Sequence, residues 1–446
     1  VHGRSIESIR YDEERAVSVQ VGGPAVAAVG GGPVRRAHVG VITAFVTAGI
    51  AFTGLASRIP DVRGLLGLTP SELGLLLLAI STGAVLALPA SGWVCGRIGA
   101  ALAVLTGAAA LSVGLVVAGV GTALPAVWLT AAGLFLVGLG TGTWDVAMNL
   151  QGTVVERGLG RNVMPHYHAW FSLGSVGAAG LGALATWAQV PVVVHLVLTG
   201  VVALVAAGLA ARRFLPASAD APDSSGTLDA PDAAARPVDR RHPLAAWMEP
   251  RTLLIGVLVL AAAFTEGVAM DWLSVGVIDG YATPTWVGGL AFAAFVTAMT
   301  VGRVLGTSWL DRYGRLPVLR TAFGLAAVGS LMVIFGPALG PTLGLAAAFA
   351  GALLWGLGAS LGFPVGMSAA ADDPRYAAAR VSVVASIGYL AFLAGPPLLG
   401  FLGDHVGVLR ALLAVVTVTL AALLVVPASR PLPAAGATAE RATADR

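Results

Sequence analysis

Lysine is absent from this chain and cysteine occurs once, at Cys95. A single thiol excludes an internal disulfide and leaves no thiolate cluster for a metal. All 26 basic residues are therefore arginine, a compositional bias without mechanistic content. Charge of either sign is scarce: 11% of the 446 residues are charged, against roughly 25% in soluble domains. The net charge is only +3, and the arginines are scattered without interleaved aromatics, which argues against a nucleic-acid surface. No Gly-rich phosphate loop occurs, so no ATP site is expected. No short apolar segment closing on small residues precedes the first long apolar run, so no removable signal peptide is expected.

What the chain does have is apolar length. It is 57% hydrophobic with a mean hydropathy of +0.85, the composition of an integral membrane protein. Windows of about 20 apolar residues mark candidate spans. Six fall at 38–57, 72–94, 101–120, 126–150, 166–188 and 191–211, and six more at 252–276, 286–309, 317–336, 342–365, 381–402 and 409–427. The expected organisation is a disordered tail (1–36), a six-helix bundle (37–211), a solvated linker rich in Arg, Asp and Pro (212–251), a second six-helix bundle (252–428) and a short tail (429–446). With both termini inside, the cytoplasmic segments hold Arg97, Arg157, Arg161, the linker arginines, Arg312, Arg315, Arg320 and Arg375, leaving Arg58, Arg63 and Arg410 outside. That asymmetry predicts cytoplasmic tails and linker.

The halves repeat each other in register. Gly96-Arg97-Ile98-Gly99 matches Asp311-Arg312-Tyr313-Gly314, Gly138-Leu139-Gly140 matches Gly356-Leu357-Gly358, and Ser172-Leu173-Gly174 matches Ser386-Ile387-Gly388, at offsets of 215, 218 and 214 residues. Two bundles facing each other, with a solute site between them near the midplane, is the arrangement such a repeat predicts.

Three acids lie well inside spans: Asp145, Glu266 and Asp271. A charge in hydrocarbon costs at least ~2.5 kcal/mol and is rarely kept without a use, although a helix-fastening hydrogen bond is the bland alternative for Asp145. Asn149 lies one turn after Asp145 on the same face, and the next span opens with His166 and His168. A carboxyl in a cavity between helices can exchange protons near neutral pH, which makes Asp145 the leading proton carrier. Glu72 and Glu156 sit at span ends and read as interfacial. Glu266 and Asp271 are five residues, about 140°, apart on a helix, so Asp271 with Trp272 is placed at the outer mouth and Glu266 toward the cavity. Arg303 either neutralises a solute carboxylate or pairs with one of the acids, the pairing being favoured.

Trp144, Trp272, Trp355 and Tyr389 either stack on a sugar face or pack, with packing favoured for Trp355. The glycines of the fifth span (Gly174, Gly177, Gly180, Gly182) and eleventh span (Gly388, Gly395) read as close-contact scaffold. His166 and His168 point about 200° apart on a helix, so no metal site is expected.

Twelve spans, a long central linker and the Asp-Arg-x-Gly-Arg turn (Asp311, Arg312, Gly314, Arg315) together resemble the major facilitator superfamily, over about residues 37–428. The resemblance implies that this turn is a cytoplasmic latch whose Asp pairs with a neighbouring helix in one conformation and releases it in the other. The first-half copy keeps Arg97 and Gly99 but has Gly96 where the family usually has Asp, which implies a weaker latch there. Within the superfamily, Asp145-x-x-x-Asn149 and the Glu266-Gly267 and Asp271-Trp272 pairs resemble the fucose permease and related bacterial inner-membrane permeases. That likeness implies proton uptake by Asp145 and solute binding by His168, which aligns with a sugar-binding Gln. A second acid of that permease is matched by Ala56, which counts against fucose itself and against a two-acid scheme.

The expectation is an all-α membrane protein of two pseudo-symmetric six-helix bundles. It would act as a monomeric, proton-coupled carrier of a small polar, sugar-like solute across the bacterial cytoplasmic membrane, without cofactor or metal. An efflux pump for apolar compounds is the rival, weakened because the fifth span lacks the Gly-x-x-x-Gly-Pro element of such pumps while Gly395-Pro396-Pro397 lies in the eleventh. A membrane-embedded transferase using Asp145 and His168 as acid and base has no evident nucleophile or donor site.

Overall fold

Helices long and apolar enough to cross a bilayer account for nearly all of the described chain. The structure, a computed structural model, describes residues 31–161, 163–216, 243–373 and 376–432. Most of both expected tails, most of the expected linker and Arg375 lie outside the described residues. Among these residues eleven helices reach spanning length. One of them, Pro70–Ala123, has 54 residues and is broken by Gly99 at φ 77° and ψ 160°. A single crossing needs about 20 residues, so this helix makes two passes and the described residues make twelve crossings.

In order the spans are Gly31–Ala56, the two arms of Pro70–Ala123, Val127–Leu159, Met164–Trp187, Val192–Ala211, Pro250–Tyr281, Thr285–Tyr313, Arg315–Phe335, Pro341–Ala359 continued by Gly362–Ala370, Ala377–Val406, and Leu413–Val425. They are called the first to twelfth spans below. Several run well past their apolar windows: the fourth extends to Leu159 and the seventh to Tyr281. The tenth is interrupted at Ser360–Leu361, where Pro364 lacks the N–H that would have bonded the Ser360 carbonyl.

The sequence repeat is a repeat of backbone and packing. Gly99 and Gly314, 215 residues apart, both take positive φ with extended ψ (77°, 160° and 75°, 172°), a conformation closed to most L side chains. Gly138 and Gly356 do the same work in the two halves. A Cβ on Gly138 would strike the Ile80 carbonyl of the second span, and one on Gly356 the Phe295 carbonyl of the eighth. Two residues on, Gly140 lies against Gly107 and Leu111 of the third span, and Gly358 against Ala322 and Ala326 of the ninth. Each Gly-Leu-Gly thus seats one helix between two others at backbone distance, as small residues permit in membranes. In the fifth span Gly174 and Gly182 make such contacts, with Val46 and Ser57. Gly177 and Gly180 face open space, which corrects their expected scaffold role. They lie on the outward side of a helix whose inward side is already filled.

The interfacial acids act as caps. Glu72 and Thr69 form a capping box at the start of the second span, Thr69 N–H donating to Glu72 Oε2 at 2.8 Å. Glu156 Oε2 accepts the Val163 and Met164 N–H groups at 2.6 and 2.7 Å, satisfying donors that the start of the fifth span leaves open. Exposed tryptophans gather toward the two ends, Trp128 and Trp187 at one and Trp93, Trp170, Trp247 and Trp309 at the other, the levels where indole prefers a bilayer interface.

Candidate functional site: a polar cavity between the bundles

The two halves meet at the end that carries Arg58, Arg63 and Arg410. Arg63 Nη1 donates to Asp279 Oδ2 at 2.6 Å, and Ser71 N–H donates to Asp404 Oδ2 at 3.3 Å. Gly74 of the second span is pressed against the Pro396 carbonyl and Pro397 of the eleventh, and its repeat mate Gly289 of the eighth lies beside Ala183 of the fifth. At the opposite end Trp93, Arg97, Trp309, Asp311 and Tyr313 are exposed. Among the described residues every hydrogen bond and ion pair between the halves lies at the first end, so the space between the bundles is closed there and open at the second.

Five spans place polar side chains toward that space. Asp145 lies 14 residues, about 21 Å, from the open-end terminus of the fourth span and is exposed, an exposure that makes physical sense for a carboxylate only toward water rather than lipid. Asn149 Nδ2 donates to Asp145 Oδ1 at 3.2 Å and to its backbone oxygen at 2.8 Å, and Thr153 continues the stripe. Across the cavity, Tyr389 of the eleventh span lies within electrostatic reach of Asp145, its ring 6.4 Å from that of Phe392. Glu266 of the seventh span and Arg303 of the eighth form an ion pair at 2.7 Å, with side chains 22% and 31% exposed. The pairing favoured for Arg303 is thus the observed geometry. His168 is exposed one turn inside the fifth span, set edge-on to Phe45 at 5.1 Å and within electrostatic reach of Arg303. No hydrogen bond is described between His168 and Asp145.

Three expectations need correction. Trp144 and Trp272 are 1% and 0% exposed, so neither ring face is open to a solute. Successive helical residues point about 100° apart, and with Asp145 facing the cavity Trp144 is turned onto Gly107 of the third span. Asp271 is not at an outer mouth, because its helix continues to Tyr281. It is half-buried and deeper toward the closed end than Glu266, and among the described residues no charged or hydrogen-bonding group acts on it. Trp355 packs as expected, donating to the Thr265 carbonyl at 3.1 Å.

The latch is also distributed differently. Asp311 is exposed and is not described in any hydrogen bond or ion pair. Arg315 instead binds Asp372 at 2.7 Å and Ser368 at 3.1 Å, and Arg251 binds the same Asp372 at 2.8 Å, tying the seventh, ninth and tenth spans of one half together. Arg312 lies over the Tyr313 ring and Arg97 over the Trp93 ring, at 5.3 and 4.9 Å. Gly99 and Gly314 supply the turns.

Arg63 and Asp279 are 216 residues apart, so they occupy equivalent positions of the two halves with opposite charge, and sequence reading missed the pair. A half-exposed ion pair is worth about 0.2–1 kcal/mol. Asp279→Asn should accordingly raise the labelling rate of a cavity cysteine from the closed end by about two- to fivefold; an unchanged rate would show that helix packing alone holds that end shut.

Two six-helix bundles clasped at one end around a polar cavity open at the other have the architecture of a membrane transporter. The chain belongs to the Major Facilitator Superfamily, which matches residues 41–380 and, separately, 287–445. It is 32% identical over 371 residues to the uncharacterized transporter y4wD of Sinorhizobium fredii, covering 82% of this chain and 90% of that protein. The fold is similar to a crystal structure of a mutant of the nucleoside transporter NupG, with TM-score 0.70 and 12% identity over 89% of this chain and 99% of that one. It is also similar to a bacterial homologue of the human lysosomal transporter Spinster in an inward-facing, unoccupied conformation, with TM-score 0.68 and 14% identity over 90% and 98%. The family and these relatives are transporters, not enzymes.

Proposed function

We propose that the protein is a proton-coupled carrier that moves a small polar solute across the bacterial cytoplasmic membrane by alternating access. The observation that carries this reading is Asp145, a carboxylate at mid-depth in a water-accessible cavity, with a neutral amide as its hydrogen-bond partner. A carboxyl without a counter-ion can take and release a proton without breaking a salt bridge. Asp271 shares that freedom, whereas Glu266 is engaged by Arg303. Asn149, His168, Tyr389 and the Arg303–Glu266 pair supply donors and acceptors for a polyhydroxylated solute, and the nucleoside substrate of NupG is a solute of that kind. The rival, efflux of apolar compounds, fits a wall of charged and amide groups less well. A single chain holds the whole cavity, which supports a working monomer.

The arginine bias supports an orientation with the open end of the cavity in the cytoplasm. In a Cys95→Ala background, Leu65→Cys at the closed end should react with an impermeant maleimide in intact cells, and Tyr313→Cys only after permeabilisation. The reverse pattern would invert the topology. Accumulation of a radiolabelled polar solute in sealed vesicles under an imposed pH gradient tests the function itself, and product formation without accumulation would point to an enzyme.

A further inference from the structure

Charge in the cavity is lopsided. Asp145 and Glu266 set two carboxyl groups toward it and Asp271 a third deeper toward the closed end, and Arg303 is the one guanidinium at these depths among the described residues. That guanidinium is already occupied, Nη2 donating to Glu266 Oε1 at 2.7 Å. Asp145 keeps a neutral amide donor, and among the described residues no charged group acts on Asp271. We propose that the cavity rejects anions, that its solute is neutral or carries a protonated nitrogen, and that Glu266 sets this selectivity by occupying Arg303. The proposal rests on the reading of this cavity as the solute path.

A solute carboxylate or phosphate could reach the other N–H groups of Arg303 only beside Glu266, whose like charge already neutralises the guanidinium and repels the incoming anion. A solute ammonium meets the opposite situation, since each free carboxylate accepts a charge-assisted hydrogen bond. Neutral hydroxyls find Asn149, His168 and Tyr389 without disturbing any ion pair. With Glu266 balanced by Arg303, Asp145 leaves the formal count of carboxyl and guanidinium groups facing the cavity at one negative charge in excess. Low-dielectric walls focus that excess on whatever enters.

The sign of the cavity can be read without knowing the solute. Ser386 is exposed about one turn before Tyr389 on the same face of the eleventh span. In a Cys95→Ala, Ser386→Cys protein, rates of modification by trimethylammonioethyl and sulfonatoethyl methanethiosulfonates, each divided by its rate on free mercaptoethanol, give a cation-to-anion ratio. That ratio should be at least about tenfold at low salt and shrink as salt is raised. Glu266→Gln should narrow it at least threefold, Glu266→Asp should preserve it, and Arg303→Gln should widen it. Structural damage would move Glu266→Gln and Arg303→Gln in the same direction. A ratio of one or below, or one indifferent to Glu266→Gln, would overturn the proposal. No modification by either reagent would overturn the open cavity and the proposal with it. A clear cation preference in a protein that transports no solute would overturn the transport reading alone.

Discussion

Asp145→Asn should give a protein that still exchanges solute down a gradient but no longer accumulates it when a pH gradient is imposed. With one proton per solute, each pH unit supports about a tenfold concentration ratio, so the expected change is from roughly tenfold accumulation to none. The substitution keeps the shape of the side chain and its contact with Asn149, which bonds Asp145 at 3.2 Å, while fixing the site in a state that resembles the protonated acid. A carrier couples only if one group holds a proton in one access state and yields it in the other. The binding donors are untouched, so exchange survives. If Asp145 merely fastens its helix, the variant should accumulate solute normally or fail to fold. Its exposure, with a hydrogen-bond partner on its own helix, speaks against a fastening role. Proton-driven accumulation by a well-folded variant would transfer the role to Asp271, the other acid on which no charged group acts.

Gly138→Val should cost the protein its fold, whereas Gly177→Val in the next span should be tolerated. At Gly138 an added Cβ would meet the Ile80 carbonyl and the backbone of Ala84 across the crossing of the second and fourth spans. Both obstacles are main chain and cannot rotate away. Overpacking of this kind costs about 3 kcal/mol, a large share of the margin that holds a protein folded, and the displaced helix is the one that carries Asp145. Gly177 has nothing within 4 Å of its would-be Cβ. Size-exclusion profiles and melting temperatures of the purified variants separate the two. A Gly138→Val protein that elutes and melts like the parent would show that the crossing is looser than its backbone distances imply.

The twelve crossings were legible because apolar length, capped by polar turns, is the strongest signal a membrane chain offers. The pseudo-symmetry was legible too, since Gly99 and Gly314 must be glycine to hold their shared positive φ. What periodicity could not show was which way each residue of a uniformly apolar helix faces. Trp144 adjoins Asp145 in sequence yet is buried against the third span, and Asp271 looked terminal because the apolar window closes at residue 276, before the helix does. Glu72 carried a readable signal, the Thr-Pro-Ser-Glu capping box. The Arg63–Asp279 contact would have emerged had the 215-residue offset been applied to charged positions as well as to glycines. Asp372, shared by Arg251 and Arg315, left no such trace, because nothing in one sequence pairs a loop carboxylate with arginines on two different helices.

The coupling of solute to protons is tested most directly in proteoliposomes that contain the purified protein and a trapped pH dye. Polar solutes that raise the melting temperature of the protein identify the ligand, since binding only to the folded state stabilises it. Addition of such a solute outside should change the internal pH in wild-type vesicles and leave it unchanged with Asp145→Asn. Solute entry without proton movement in the wild type, or equal proton movement in the variant, would contradict Asp145-mediated coupling.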